Sequence, residues 1–187
     1  MLIGYAMCGS FCTFGRSLAV MERLALDGNS IVPIMSQNAY STDTRFGEAE
    51  SIKRRVTDIC KRDIIHTVKD AEPLGPNLAL DMLIVSPCTG NTLAKLAGGI
   101  TDTAVTMAAK AHLRCDRPML IALASNDAMS QNLGNIAKLI TRKSVYFLPL
   151  SQDDPRGKPH SLIAEFSRLG EGFFAMEEGR QLRPLFV

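Results

Sequence analysis

Leu80-Asp81-Met82-Leu83-Ile84-Val85-Ser86-Pro87-Cys88-Thr89-Gly90-Asn91-Thr92-Leu93-Ala94-Lys95-Leu96-Ala97 is the stretch that decides the fold. Leu80 to Ser86 is the strongest candidate in the chain for a buried strand, a short apolar run halted by Pro87. Such runs are how strands covered on both faces of a parallel sheet read. Ser86 to Thr92 is small and polar, and two helical pieces follow, Asn91 to Ala97 and Asp102 to Ala111, parted by Gly98-Gly99. Strand, polar turn and helix make one unit of an alternating α/β chain.

The same unit recurs on either side. Upstream, Leu2 to Met7 is an apolar strand, and Phe14, Leu18, Met21 and Ala25 recur at helical spacing until Gly28 closes the helix. Ser30 to Met35 is a second strand, where Pro33 favours an edge or irregular position. Ser36 to Gly47 reads as a polar loop, Ile52, Val56, Ile59 and Cys60 line one face of a helix, and Ile64 to Val68 reads as a short third strand. Ala71 to Asn77 holds two prolines and a glycine and reads as a turn-rich loop suited to subunit contact. Downstream come a strand at Met119 to Ala124, a helix through Leu133, Ile136, Ala137 and Ile140, and a last strand at Val145 to Leu148. Pro149 to Pro159 then reads as a loop, with a C-terminal helix from about Leu162. Right-handed crossovers turn such an alternation into a single doubly wound, flavodoxin-like (Rossmann-like) domain over residues 1–187, a parallel sheet with helices on both faces.

Composition narrows the function. With 187 residues, 46% hydrophobic and 21% charged, the chain is an ordinary globular domain. The net charge of +2 is dispersed, and Lys53-Arg54-Arg55 is interleaved with Glu48, Glu50 and Asp58, which disfavours nucleic acid as a partner. The first residues lack the pattern of a signal peptide and no run is long enough to span a bilayer, so a cytoplasmic protein is expected. Five cysteines without a Cys-x-x-Cys, and three scattered histidines, predict reduced thiols and no metal site.

In doubly wound folds ligands sit beyond the carboxyl ends of the strands. Three loops there are small and polar: Cys8-Gly9-Ser10-Phe11-Cys12-Thr13, Ser86 to Thr92, and Ala124-Ser125-Asn126-Asp127-Ala128-Met129. The first opens onto a helix N-terminus, which suits a phosphate, although a single glycine there lacks the dinucleotide fingerprint. Asn91 offers both donors and an acceptor to a ring edge or carboxylate. Each loop also reads as a plain helix cap, by Ser10 or Thr13, by Asn91 or Thr92, and by Ser125, Asn126 or Asp127. Taken together they converge on one pocket.

The segment from Ser86 to Asp102 resembles the Pro-Ala-Ser-Ala-Asn-Thr segment of the flavin-containing cysteine decarboxylases, with matching spacing from Pro87 through Asn91 to Asp102. The first loop resembles that family's phosphate-holding Gly-Ser segment. The third resembles its Pro-x-Met-Asn-x-x-Met motif in degenerate form, keeping Asn126 and Met129 but reading Ala124 and Ser125 at the other two places. A narrower resemblance, to the family of dipicolinate synthase B subunits, is carried by Thr42 to Glu48, Ala71 to Pro76, Met107 to Ala111, Ser125 to Ala128, Val145 to Asp154 and Lys158-Pro159.

These resemblances imply a set of expectations. Gly9, Ser10 and Phe11 would cradle the phosphate of FMN. Ser36, Pro87, Thr89 and Asn91, with Thr106, Ser125 and Asn126, would contact its ribityl chain or ring. Asn91 and His66 would be catalytic, His66 being equally a solvated or capping residue. Arg45, aided by Thr42 and Thr44, would take a substrate carboxylate, or else be a solvated loop arginine. The narrower family implies oxidation of dihydrodipicolinate to pyridine-2,6-dicarboxylate in the mother cell of a sporulating bacterium. Its partner in that reaction would be the NAD(P)-binding A subunit. The wider family implies a homo-oligomer, a trimer or a multiple of trimers. Two other readings stand beside this one: an FMN-dependent decarboxylase of a cysteine-derived substrate, and a non-catalytic, partner-stabilising subunit with a vestigial flavin pocket. The decarboxylases carry a late Gly-x-Cys lid, and this chain has no cysteine after Cys115.

Overall fold

A computed structural model describes residues 1–75 and 77–187. The first strand, β1 (Leu2–Met7), leads through one turn of 3₁₀ helix (Phe11–Thr13) into α1 (Phe14–Leu26). Phe14, Leu18, Met21 and Leu24 give α1 its buried face. It ends in a Schellman turn: Gly28, at φ +86°, donates to the Ala25 carbonyl and Asn29 to that of Leu24. Gly28 suits this position because a side chain would strain the left-handed backbone.

After β2 (Ser30–Met35) the chain departs from expectation twice. The polar stretch from Ser36 contains a short helix, α2 (Gln37–Ser41), capped by Ser36, before α3 (Ala49–Cys60). The strand expected at Ile64 to Val68 shrinks to a single bridge between Ile34 and Ile65, because Thr67 caps a one-turn helix, α4 (Val68–Ala71). In the turn-rich segment beyond it Leu74 is buried, and Gly75 lies against Ala111, where a Cβ would overlap the backbone. Pro76, in the same segment, is outside the described residues.

The central strand, β3 (Met82–Cys88), is buried along its whole length and runs through Pro87, one register shift past Val85 accommodating the change. Then come α5 (Gly90–Gly98), α6 (Ala104–Leu113), β4 (Met119–Ser125), α7 (Leu133–Ile140) and β5 (Val145–Phe147). Lys95 at the end of α5 grips both carboxylate oxygens of Asp102 at 2.8 Å, and Thr103 with Thr106 forms a capping box that starts α6.

The parallel part of the sheet runs β2-β1-β3-β4-β5. Pro33 sits in edge strand β2, where its missing N–H faces outward and only its carbonyl is used, by Ile65. Right-handed crossovers put α1 on one face and α4 to α7 on the other, where α4 packs on α6 and α5 on α7, while the C-terminal helix, α8 (Leu169–Glu177), packs on β4.

Beyond Phe147 the sheet is not parallel. The loop expected at Pro149 to Pro159 is present beyond a two-residue strand, β6 (Leu150–Ser151), and the helix expected from Leu162 gives way to β7 (Leu162–Ala164), which closes a hairpin with β6. Strand β7 lies antiparallel to the last residues of β4, pairing Ser125 with Leu162 and Ala124 with Ile163, while β5 pairs with the first residues of β4. The helix of the C-terminal region starts at Leu169, after a 3₁₀ turn at Phe166–Arg168.

Candidate functional site

Strand order reverses between β1 and β3, so the chain leaves β1 toward one face of the sheet and β3 toward the other. The crevice between those exits is where doubly wound folds take ligands. Here it opens into a cavity of about 750 Å³, within the size range of small-molecule sites. Four segments wall it: Gly9 to Thr13, Thr89 to Asn91, Ala124 to Asp127, and a stretch containing Asp153, Lys158 and Ser161 to Ile163. Phe46 adds an aromatic face.

Beneath the first two walls lies a buried knot of hydroxyls. Ser17 of α1 donates to the Ser86 carbonyl at 2.6 Å, and the Tyr5 hydroxyl lies 2.9 Å from the Ser17 carbonyl and 3.0 Å from Ser86 Oγ. Complete burial pushes the Tyr5 phenol up to about 12, so it stays a neutral donor. The knot ties α1 to β1 and β3 directly under the exits of the two strands. Cys8 and Cys88 sit in the same floor, buried, and desolvation lifts the Cys8 thiol to about 11 and that of Cys88 well above its ordinary value. Both are packing groups rather than nucleophiles. Cys12, by contrast, is exposed and lines the cavity.

The first loop tightens at once, Ser10 N–H bonding the Cys8 carbonyl at 2.7 Å and Thr13 N–H that of Ser10 at 3.0 Å. Phe11 and Cys12 open the helical turn, so their N–H groups have no acceptor within it. In the second loop Thr89 is the cap: its hydroxyl accepts from Thr92 N–H at 3.2 Å, leaving Asn91 on the first turn, exposed to the cavity. In the third loop Asp127 is fixed by hydrogen bonds from Ser125 and from Asn132 Nδ2, the latter at 2.9 and 3.0 Å to its two oxygens. The Ser125 bond, first, and the Asn132 bond hold the Asp127 carboxyl below its ordinary pKa. This cluster presses on Gly90, where a Cβ would stand 2.7 Å from both Asn132 Nδ2 and Asp127 Oδ1 and overlap Ser125 Oγ. A glycine there lets the second and third walls touch. Ser10, Asn91 and Asn126 line the cavity with side chains that make no hydrogen bond to protein among the described residues.

The fourth wall is the β6–β7 hairpin. Besides the pairing with β4, Met129 N–H reaches the His160 carbonyl at 2.9 Å. Within the hairpin loop Lys158 N–H bonds the Asp154 carbonyl at 2.8 Å and Gln152 Nε2 bonds that of Pro159 at 2.9 Å. Lys158 Nζ pairs with Asp153 at 2.9 Å, and the ammonium holds the Asp153 carboxyl below its ordinary value.

Of the residues singled out by sequence, the structure brings Gly9, Ser10, Phe11, Thr89, Asn91, Ser125 and Asn126 together in this lining. The others are placed elsewhere. Ser36 spends its hydroxyl on the α2 cap, Thr106 is buried in the α6 capping box, and Pro87 lies within β3, its carbonyl accepting from Cys8 N–H at 3.0 Å. His66 stacks on Tyr40, 3.8 Å between centroids, outside the lining. Thr42 and Thr44 border a small adjoining depression, and Arg45 rests over the Phe46 ring at 4.8 Å, reaching the main cavity only through that ring. Sequence reasoning missed Asp153, Lys158 and Ser161 as lining residues and read Asp127 only as a cap. Asp127 was readable as part of the third loop. The hairpin group carried no signal, because nothing in a two-residue strand reveals where its loop will dock.

Among the described residues no helix is long and apolar enough to cross a membrane, and no cluster of three or more potential metal-ligating His, Cys, Asp or Glu side chains forms.

The Flavoprotein family model matches residues 2–170. The chain is 37% identical over 185 residues to the dipicolinate synthase B subunit of Bacillus subtilis (strain 168), covering 99% of this chain and 92% of that protein. The crystal structure of the dipicolinate synthase B subunit from Bacillus halodurans C superposes with a TM-score of 0.91 at 36% identity, covering 100% of this chain and 95% of the other. The FMN-dependent cysteine decarboxylase SpaF shares the fold, with a TM-score of 0.68 at 19% identity over 95% of this chain and 97% of its own.

Proposed function

This chain belongs to the Flavoprotein family, alongside the dipicolinate synthase B subunit, and from that premise we propose that it is itself the B subunit of a dipicolinate synthase. In this reading it takes part in the oxidation of dihydrodipicolinate to pyridine-2,6-dicarboxylate in the cytoplasm of a sporulating mother cell. Its partner is the NAD(P)-binding A subunit, and the chain itself assembles as a homo-oligomer of trimeric type. The single observation that carries the reading is the cavity at the switch point, walled by polar strand-end loops that present uncommitted hydrogen-bonding groups.

The residues present fit FMN as the cofactor. Ser10 and the open N–H groups of Phe11 and Cys12, at the positive end of α1, suit its phosphate. Gly9 keeps that loop close to Asn38, since a Cβ would come within 3.3 Å of it. Thr89, Asn91, Ser125 and Asn126 would face the ribityl chain or ring edge. Bound FMN supplies a two-electron acceptor, and aromatising a dihydropyridine gives up two electrons and two protons. For the protein, the work is holding and orienting. Asn91 offers a donor and an acceptor to a ring edge, and Phe46 offers an aromatic face. Arg45 is proposed as a rim contact for an entering carboxylate, with Thr42 and Thr44 behind it.

The decarboxylase reading is weaker, since the lid cysteine implied by that resemblance has no counterpart after Cys115. The test is the visible spectrum of the purified chain after incubation with FMN and gel filtration. A retained flavin band is the expected result. A folded chain that retains none would overturn FMN binding and favour the partner-stabilising reading.

A further inference from the structure

We propose that Lys158 is the side chain that takes the first carboxylate of a dicarboxylate ligand in this cavity, exchanging its carboxylate partner Asp153 for that of the ligand. The inference rests on the dipicolinate reading above and assigns that ligand's first charged contact.

The charged side chains lining the cavity are Asp127, Asp153 and Lys158. Among the described residues Lys158 is the one cation in that lining, so a carboxylate entering the cavity has this side chain to pair with. Asp127 is committed to Ser125 and Asn132 and is packed against Gly90. Lys158 is held differently. Its pairing with Asp153 at 2.9 Å is half exposed, 54% for the lysine and 32% for the aspartate. A pair so exposed contributes little to folding and is cheap to open. Asp153 does not become an orphan when the lysine leaves, because it is itself open to water and the nearby Ser161 hydroxyl helps hold its carboxyl below the ordinary value.

The position of Lys158 is not left to a wandering loop. Strand β7 is stitched to the end of β4, Met129 bonds the His160 carbonyl, and the Lys158 N–H is anchored on Asp154. The backbone is therefore fixed over the cavity while the four-carbon stem can swing from Asp153 to a ligand. A lysine rather than an arginine suits such a swing, since its ammonium is a compact charge that needs no planar partner. Arg45, at the rim over Phe46, is left for the second carboxylate.

The test is calorimetric titration of the FMN-treated full chain with pyridine-2,6-dicarboxylate, and with pyridine-2-carboxylate as the singly charged control. The wild type is expected to bind the dicarboxylate more tightly than the monocarboxylate. Lys158→Gln is expected to weaken dicarboxylate binding by about tenfold or more, the scale of a lost charge-assisted bond. The same change should leave the melting temperature and the flavin band where they were, and Lys158→Arg should recover part of the loss. Asp153→Asn frees the lysine and removes a like charge, so it should tighten binding, and added salt should weaken the wild type more than Lys158→Gln. Dicarboxylate binding by Lys158→Gln within about twofold of wild type would overturn the inference and leave the functional reading standing. A wild type that retains FMN yet does not bind the dicarboxylate would overturn both.

Discussion

Replacing Gly90 by alanine sets two physical effects against each other. Gly90 is the first residue of α5, where alanine would ordinarily stabilise a helix by up to about 1 kcal/mol. In this fold the added Cβ meets Asn132 Nδ2 and Asp127 Oδ1 at 2.7 Å and overlaps Ser125 Oγ. Those atoms are tips of short side chains and can retreat, but only by breaking the bonds that hold Asp127. Asn132 is 4% exposed, so its amide would be left buried and unpaired. That costs about 1–3 kcal/mol, and overpacking adds a similar amount. The net expectation is a loss of about 1–5 kcal/mol, or a melting temperature lower by roughly 2–20 °C for a chain of this size. Gly134, second in α7, has nothing within 4 Å of the place a Cβ would take and serves as the control. Gly134→Ala should raise the melting temperature by about 1–4 °C. Thermal unfolding followed by circular dichroism reads both. If Gly90→Ala matches or exceeds the wild type, the contact between the second and third walls is not what the structure makes it, and the reasoning fails.

Two further changes probe the framework. Ser17→Ala strips the donor from the buried Ser86 carbonyl and should cost about 1–3 kcal/mol, seen as a lower urea midpoint; an unchanged midpoint would dismiss the hydroxyl knot as a support. His112 is buried, its Nε2 bonded to the Pro118 carbonyl at 2.9 Å and its Nδ1 without a partner among the described residues, and desolvation lowers its pKa. The folded state therefore binds the proton less readily than the unfolded chain. Stability is full above the unfolded value near pH 6.5 and declines as pH falls below it, by up to about 1.4 kcal/mol at pH 5.5. His112→Gln keeps a donor for Pro118 and cannot ionise, so its urea midpoints at about pH 7.5 and 5.5 should lie closer together than those of the wild type.

The sequence was most readable where burial was most uniform. Val85 and its neighbours in β3, and the spaced apolar face of α1, announce themselves because a strand or helix of ordinary length must hide a whole face. Ile64 to Val68 misled for a local reason: its β-branched residues favour a strand, yet Thr67 caps a turn of helix, and only Ile65 reaches the edge of β2. Helix α2 and strands β6 and β7 are too short for any period to register. The same contrast governs the site. Ser10, Asn91 and Asn126 could be placed because they follow strands, and the fold dictates where strand ends go. Lys158 and Asp153 could not, since their place depends on β7 turning antiparallel against β4.

The hairpin that carries Lys158 also bears on the order in which the molecule is built. The first wall of the cavity comes from the start of the chain and the fourth from its last quarter, joined by β7 closing on β4. Strand β7 can close only once β4 is in place, because its partners are the last residues of that strand. Without β7 on β4 the cavity is open and three-sided. A ligand that spans all four walls then recognises only completed molecules and adds to their stability as its concentration rises.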